Sequence, residues 1–172
     1  MKFQHFTPWL REDDLGRLQW TPDISKHWTR IMKSDRDHES ARTVEQIFEE
    51  VRIRDYPLLP SRKNCIFLFD LGLDPDKYAS SISFVNVRRE LNLVEVDTDS
   101  NSSIIARVNK SLLTYRFDSQ GQIVATPDEI VLDAKQYWRG TTSRDYDSEV
   151  LVCGRFTCTR IIRTAERPLV CG

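Results

Sequence analysis

Apolar residues recur along this chain in two different periods, and the period decides which element each segment predicts. Ala41, Val44, Ile47, Phe48 and Val51 fall every three or four positions, an apolar stripe that predicts a helix over residues 40–52. Ile130, Val131, Ala134, Tyr137 and Trp138 make a second stripe. That helix opens on Thr126-Pro127-Asp128-Glu129, a capping box with proline at the first helical position, and Gly140 closes it. Behind a cap at Ser102 or Ser103, the stripe Ile104, Ile105, Val108 and Leu112 predicts a further helix. Asp74-Pro75-Asp76 opens a short helix carrying Tyr78 and Ala79, with Asp74 as its N-cap.

The strands follow the shorter period. In Phe3-Gln4-His5-Phe6-Thr7, Phe3 and His5 share one face and Gln4 and Phe6 the other, a short strand that Pro8 ends. Pro57 and Pro60 bracket a turn, after which Cys65-Ile66-Phe67-Leu68-Phe69 runs apolar without interruption, as a strand does when both its faces are buried in the middle of a sheet. Val94-Glu95-Val96-Asp97 alternates within a strand from about Leu91 to Asp97. A polar loop from Arg139 to Ser148 leads into Val150-Leu151-Val152, Gly154 turns the chain, and Phe156 to Ile162 returns as a partner strand. Between Trp9 and Glu39 the chain is polar, with scattered tryptophans and a break at Pro22, which predicts short helices joined by loops. Strands at both ends with helices between them read as α+β. At 172 residues and without an internal repeat, the whole chain, 1–172, reads as a single domain.

Composition narrows the partners. Charged residues are 30% and hydrophobic residues 40%, the balance of a soluble globular protein. The 25 Lys and Arg offset the 26 Asp and Glu, so a nucleic-acid partner would need a local basic patch. The run Cys65 to Phe69 is far short of a membrane span, and Met1-Lys2-Phe3-Gln4-His5 lacks the apolar core of a signal peptide. A cytoplasmic protein with no membrane partner is therefore expected. The four cysteines contain no C-x-x-C pair and read as free thiols, and Cys65, at the head of an apolar run, reads as an inert one. His5, His27, His38 and the cysteines show no ligand spacing, so no metal is expected, and there is no glycine-rich phosphate loop.

A few residues could carry chemistry. His5 and Thr7 lie on one face of the first strand, where imidazole and hydroxyl together can hydrogen-bond the hydroxyls of a ribose or other sugar. The competing reading is a histidine satisfied in the core or at an exposed edge. Glu149 stands where the polar loop meets an apolar strand, a carboxylate held rigidly yet approachable; the bland alternative is a solvated charge ending a strand. Phe67 and Tyr78 could sandwich a planar ring, or serve as a core Phe and a surface Tyr. Arg62 could fork onto a phosphate, or be one of many surface arginines.

Taken in order, these pieces resemble the ADP-ribosyltransferases of the histidine–tyrosine–glutamate class, the class of diphtheria toxin and the poly(ADP-ribose) polymerases. In that family a first strand carries H-x-T/S, a central strand of the type G-I-Y-F-A precedes a second tyrosine by about ten residues, and a late strand begins with the catalytic glutamate. This chain has His5-Phe6-Thr7, then Asn64-Cys65-Ile66-Phe67-Leu68-Phe69 with Tyr78, then Ser148-Glu149-Val150-Leu151-Val152. Pro60-Ser61-Arg62-Lys63-Asn64-Cys65-Ile66-Phe67 and Tyr137-Trp138-Arg139-Gly140 are also similar to small bacterial and phage members, many of them toxins or defence proteins.

The resemblance implies a split β-sheet core with flanking helices and a mono-ADP-ribosyltransferase that uses NAD as substrate, in a toxin or defence effector. His5 and Thr7 would hold the adenine-side ribose, Arg62 the pyrophosphate, and Phe67 and Tyr78 the nicotinamide. Glu149 would hydrogen-bond the nicotinamide-side ribose as the catalytic residue, with Asp147 taking a proton from the acceptor. Arg139, Arg144 and Tyr146 would read the acceptor, a DNA, RNA or protein, and an antitoxin or inhibitor protein would be a natural partner. Phe67 departs from the family's tyrosine and lacks its hydroxyl. Asp147 stands where many relatives place Glu or Gln. A related fold with a different reaction, that of an RNA 2′-phosphotransferase, would also use NAD, and a non-catalytic binding or inhibitory module would keep the fold without turnover.

Overall fold

The computed structural model describes residues 1–7, 12–25, 29, 39–75, 92–114, 118, 122–140 and 148–163. Their strands are β1 (Lys2–Thr7), β2 (Leu18–Trp20), β3 (Ile66–Asp70), β4 (Asn92–Thr98), β5 (Ile104–Asn109), β6 (Ser148–Cys153) and β7 (Arg155–Arg163). The helices are α1 (Glu39–Asp55), the single turn α2 (Ser111–Thr114) and α3 (Pro127–Arg139), and a short 3-10 turn spans Glu12–Asp14. The fold is α+β. One antiparallel sheet runs in the order β2-β7-β4-β1-β3-β6-β5, so β3, expected to be central, lies inside the sheet between β1 and β6, one place from its middle strand β1.

The pairing around β3 is uneven. β1 pairs with β4 along its whole length, from Lys2 opposite Asp97 to Thr7 opposite Asn92, but with β3 only at Phe3 opposite Asp70 and Gln4 opposite Phe69. β6 takes the other end of β3, from Ile66 opposite Val152 to Leu68 opposite Val150. The sheet thus divides into β2-β7-β4-β1 and β3-β6-β5, joined where β1 and β3 briefly meet. Side-chain alternation then decides what each half buries. Ile66, Leu68, Val150, Val152 and Ile105 of one half share a core with Phe3, Val94, Val96, Phe156 and Cys158 of the other. Because β5 and β7 lie far apart in the strand order yet contribute to that core, the two halves face one another.

The opposite face of β3-β6-β5 is covered by helices. Val44, Phe48 and Val51 of α1 and Ile130, Ala134, Tyr137 and Trp138 of α3 pack on Cys65, Ala106, Val108 and Leu151. Each fully buried Val, Leu or Phe contributes roughly 1.5–3 kcal/mol, so the two stripes account for why these helices dock where they do. The indole N–H of Trp138 donates to the Phe48 carbonyl at 2.8 Å, which ties α3 to α1 at the centre of this layer.

The ends of α3 follow the sequence closely. Thr126 Oγ1 accepts from the Glu129 N–H while Glu129 reaches back to the Thr126 N–H, Pro127 is the first helical residue, and Gly140 ends the helix in the left-handed region at φ 73°. Two expectations fail. Residues 104–109 form strand β5 rather than a helix, because Ile104, Ile105 and Val108 are β-branched and β6 offers them a hydrogen-bonding edge. Ala106 and Val108 then face the helices and Ile105 the inter-half core, which helical spacing would not allow. The segment 9–39, expected to hold short helices and loops, contributes β2, which pairs with β7 from Leu18 opposite Thr157 to Trp20 opposite Arg155. The expected helix after Asp74 lies outside the described residues beyond Pro75. Among the described residues, no helix is long and apolar enough to cross a membrane.

Candidate functional site

The loop between α1 and β3 is tied back onto α1 before it delivers its arginine. Arg52 donates to the Leu59 carbonyl at 3.0 Å and pairs with Glu49 at 2.8 Å, and Ser61 Oγ donates to the same Glu49 carboxylate at 2.9 Å. Ser25 Oγ donates to the Arg62 carbonyl at 3.3 Å. These contacts aim the Arg62 side chain into the layer between the helices and the sheet, where it is 3% exposed.

There the guanidinium is shared. Its Nε and Nη2 edge donates to the Glu45 carboxylate at 2.9 and 3.0 Å, and Nη1 donates to Glu149 Oε2 at 3.0 Å and to the Tyr137 hydroxyl. The guanidinium carbon Cζ also lies 4.8 Å from the centre of the Phe67 ring, a cation–π contact on the helix-covered face of β3. Burying a guanidinium is costly unless charge and hydrogen bonds compensate it. Glu45 is the first source of that compensation, and together with Tyr137 and Glu149 it overcomes desolvation and holds the Arg62 pKa well above the ordinary value. Burial, partly opposed by the Arg62 charge, likewise pushes the Tyr137 phenol well up, so both groups stay protonated at every physiological pH.

Glu149 owes its place to alternation along β6. Val150 and Val152 point into the inter-half core, so Glu149 and Leu151 face the helices, Leu151 beneath the stripes and Glu149 at the strand's start beside Arg62. One carboxylate oxygen is anchored on the guanidinium. Among the described residues, nothing donates to the other, Oε1. A carboxylate held by one oxygen with the second open is suited to accept a hydroxyl's hydrogen bond.

His5 reaches the same neighbourhood from the other half of the sheet. Where β1 and β3 part after Gln4, the Phe67 carbonyl is met by the imidazole, with Nδ1 at 2.8 Å. A carbonyl can only accept, so Nδ1 carries the proton and Nε2 of the neutral ring is an acceptor. Burial keeps the ring neutral by lowering its pKa, against the opposing pull of the Phe67 hydrogen bond.

His5, Phe67 and Glu149, expected to act together, are therefore linked in space, His5 through the Phe67 carbonyl and Glu149 through the Arg62 that covers the Phe67 ring. Arg62 differs from its expected role: its guanidinium is inside the protein on two carboxylates, where the resemblance would put it on a pyrophosphate. Thr7 lies partly buried on β1, opposite Asn92 of β4. Arg139 stands exposed in the last turn of α3. Tyr78, Arg144, Tyr146 and Asp147 lie outside the described residues, as do His27 and His38.

Glu45 and Tyr137 are the members that sequence reasoning missed. Tyr137 reads there only as part of the apolar stripe of its helix, and Glu45 is not singled out. A signal was present in Glu45, Glu49 and Arg52, which follow the same helical spacing one step around from Val44, Phe48 and Val51. Cys65 is buried, and its thiol is pushed above its ordinary pKa by burial, in keeping with an inert group. Among the described residues, no group of three or more His, Cys, Asp or Glu side chains gathers as a metal site.

The profile of a family described as proteins of unknown function, DUF2441, matches residues 14–164. This chain belongs to the DUF2441 family. In this DUF2441 protein the matched span carries Glu45, Arg62, Phe67, Tyr137 and Glu149, whereas His5 on β1 precedes it. No curated protein matches the chain.

Proposed function

We propose that this protein is an NAD-dependent mono-ADP-ribosyltransferase with Glu149 as its catalytic carboxylate, acting on a macromolecular acceptor as a toxin or defence effector. The observation that carries the reading is the linkage of His5, Phe67 and Glu149, which are distant in sequence: His5 bonds the Phe67 carbonyl and Glu149 the Arg62 that lies over the Phe67 ring, beside the point where β1 and β3 separate. Three further features support it. Neutral His5 presents an acceptor nitrogen suited to a ribose hydroxyl. The Phe67 ring lies against the Arg62 guanidinium, and Glu149 is anchored by Oε2 while, among the described residues, nothing donates to Oε1.

The chemistry follows from that arrangement. The bond between the nicotinamide nitrogen and the ribose C1′ breaks, and its electron pair leaves with nicotinamide. Positive charge grows on the ribose, and the Glu149 carboxylate, fixed in place beforehand, favours that state over the ground state. A lone pair of the acceptor forms the new bond to C1′, and the acceptor's proton passes to Asp147. Glu149→Gln keeps the size of the side chain but removes its charge, so it lowers the rate far more than NAD affinity.

The test incubates wild type and Glu149→Gln with NAD, alone and with cell lysate, and follows nicotinamide release and transfer of label to DNA, RNA and protein. Release by wild type that collapses in the variant supports the reading, and the labelled fraction names the acceptor. Absence of release in every condition, with no shift of the melting temperature by NAD, overturns it in favour of a binding module.

A further inference from the structure

We infer that Arg62 is a positioning residue for Glu149, and that Glu45 is the counter-charge that lets it act so. The inference rests on the proposed transferase reading and extends it to residues that touch no substrate. A carboxylate that stabilises a growing positive charge must meet two conditions: it must be fixed in direction, and it must keep its negative charge effective. An arginine alone satisfies the first and works against the second.

The geometry reconciles them. Arg62 presents its Nε and Nη2 edge to Glu45, at 2.9 and 3.0 Å, the two-pronged arrangement in which guanidinium and carboxylate charges offset each other most fully. Nη1 serves Glu149, holding Oε2 at 3.0 Å. With the two-pronged pair to Glu45 taking up most of the arginine's charge, Glu149 keeps its own negative charge effective, and among the described residues nothing donates to its Oε1. The Tyr137 hydroxyl, kept protonated by burial, braces the same Nη1 without adding charge.

The guanidinium also backs the Phe67 ring at 4.8 Å. One buried side chain therefore sets the direction of the carboxylate and the face of the aromatic residue together. Lysine could carry the charge, but it lacks the planar fork needed to serve Glu45, Glu149 and the ring at once.

Arg62→Lys and Glu45→Gln separate this role from a merely structural one, with nicotinamide release giving kcat and KM for NAD in each. Melting curves first establish that each variant folds. The expected result is a fall in kcat on the order of 10²-fold in Arg62→Lys, the loss typical of a reacting group misplaced by an ångström, with KM within about twofold of wild type. Glu45→Gln, nearly isosteric, lowers kcat in the same sense because the arginine's charge then falls on Glu149. It decides the question if the lysine variant does not fold. Unchanged kcat in a folded variant overturns the positioning role, and a raised KM with unchanged kcat overturns it in favour of a direct contact with NAD. A wild type that releases no nicotinamide overturns the transferase reading itself, and with it this inference.

Discussion

Arg62→Met is the perturbation that the buried cluster makes most informative. Methionine keeps an unbranched apolar stem of similar reach, so little packing is lost and the change is mainly one of charge. What it removes is the cation shared by Glu45 and Glu149, which are 5% and 9% exposed, and the donor to a Tyr137 that is 0% exposed. Breaking a buried pair by removing one partner costs about 3–5 kcal/mol, because the remaining charge is left in a medium that solvates it poorly. Against a typical domain stability of about 5–15 kcal/mol this is a large share. For a chain of this size it corresponds to a fall of roughly 6–20 °C in melting temperature. Removing Glu45 as well, in Arg62→Met/Glu45→Met, restores part of the loss, with a coupling of about 0.5–3 kcal/mol between the two sites. Urea unfolding followed by tryptophan fluorescence reads both quantities, since Trp138 is buried in the adjoining layer. A single-variant cost below about 1 kcal/mol, or strictly additive costs in the double variant, would refute the argument that charge pairing holds this cluster.

Two further expectations follow from the fold. Gly140→Ala destabilises by about 2–4 kcal/mol, since Gly140 sits at φ 73° and a Cβ there would run into the Arg107 backbone carbonyl; a thermal midpoint equal to wild type would count against the α3–β5 packing described here. Burial depresses the His5 pKa below its ordinary 6.5, so between the folded and unfolded values the unfolded chain binds more protons. Stability therefore rises with pH through that window and is lost as pH falls below about 6.5. Calorimetry of wild type and His5→Gln at pH 5.5 and 7.5 checks this: the variant should lose less on acidification, and equal losses would sink the assignment.

Much of the secondary structure was legible because it depends on neighbours in the chain. The α3 capping box and its closing glycine are local hydrogen-bonding devices, complete within a few residues, and they read correctly for that reason. The same holds for α1 and for the apolar run of β3, whose place inside the sheet suits a strand with both faces apolar. Residues 104–109 misled because Ile104, Ile105 and Val108 fit a helical stripe and a strand equally well, and the edge of β6 that resolves the choice is brought up by residues 39 to 49 positions later. His5, Phe67 and Glu149 could be singled out by residue type and position. That they share one neighbourhood depended on the pairing of β1, β3 and β6. The charge cluster was least legible of all. Glu45, Arg62, Tyr137 and Glu149 come from four separate segments, and beyond the charged row that Glu45, Glu49 and Arg52 make beside the apolar stripe of α1, no segment by itself marks a buried charged partner. Local elements could be read from the chain because their causes lie a few residues apart; which charges lose their water together could not, because burial belongs to the assembled layers and not to any segment of chain.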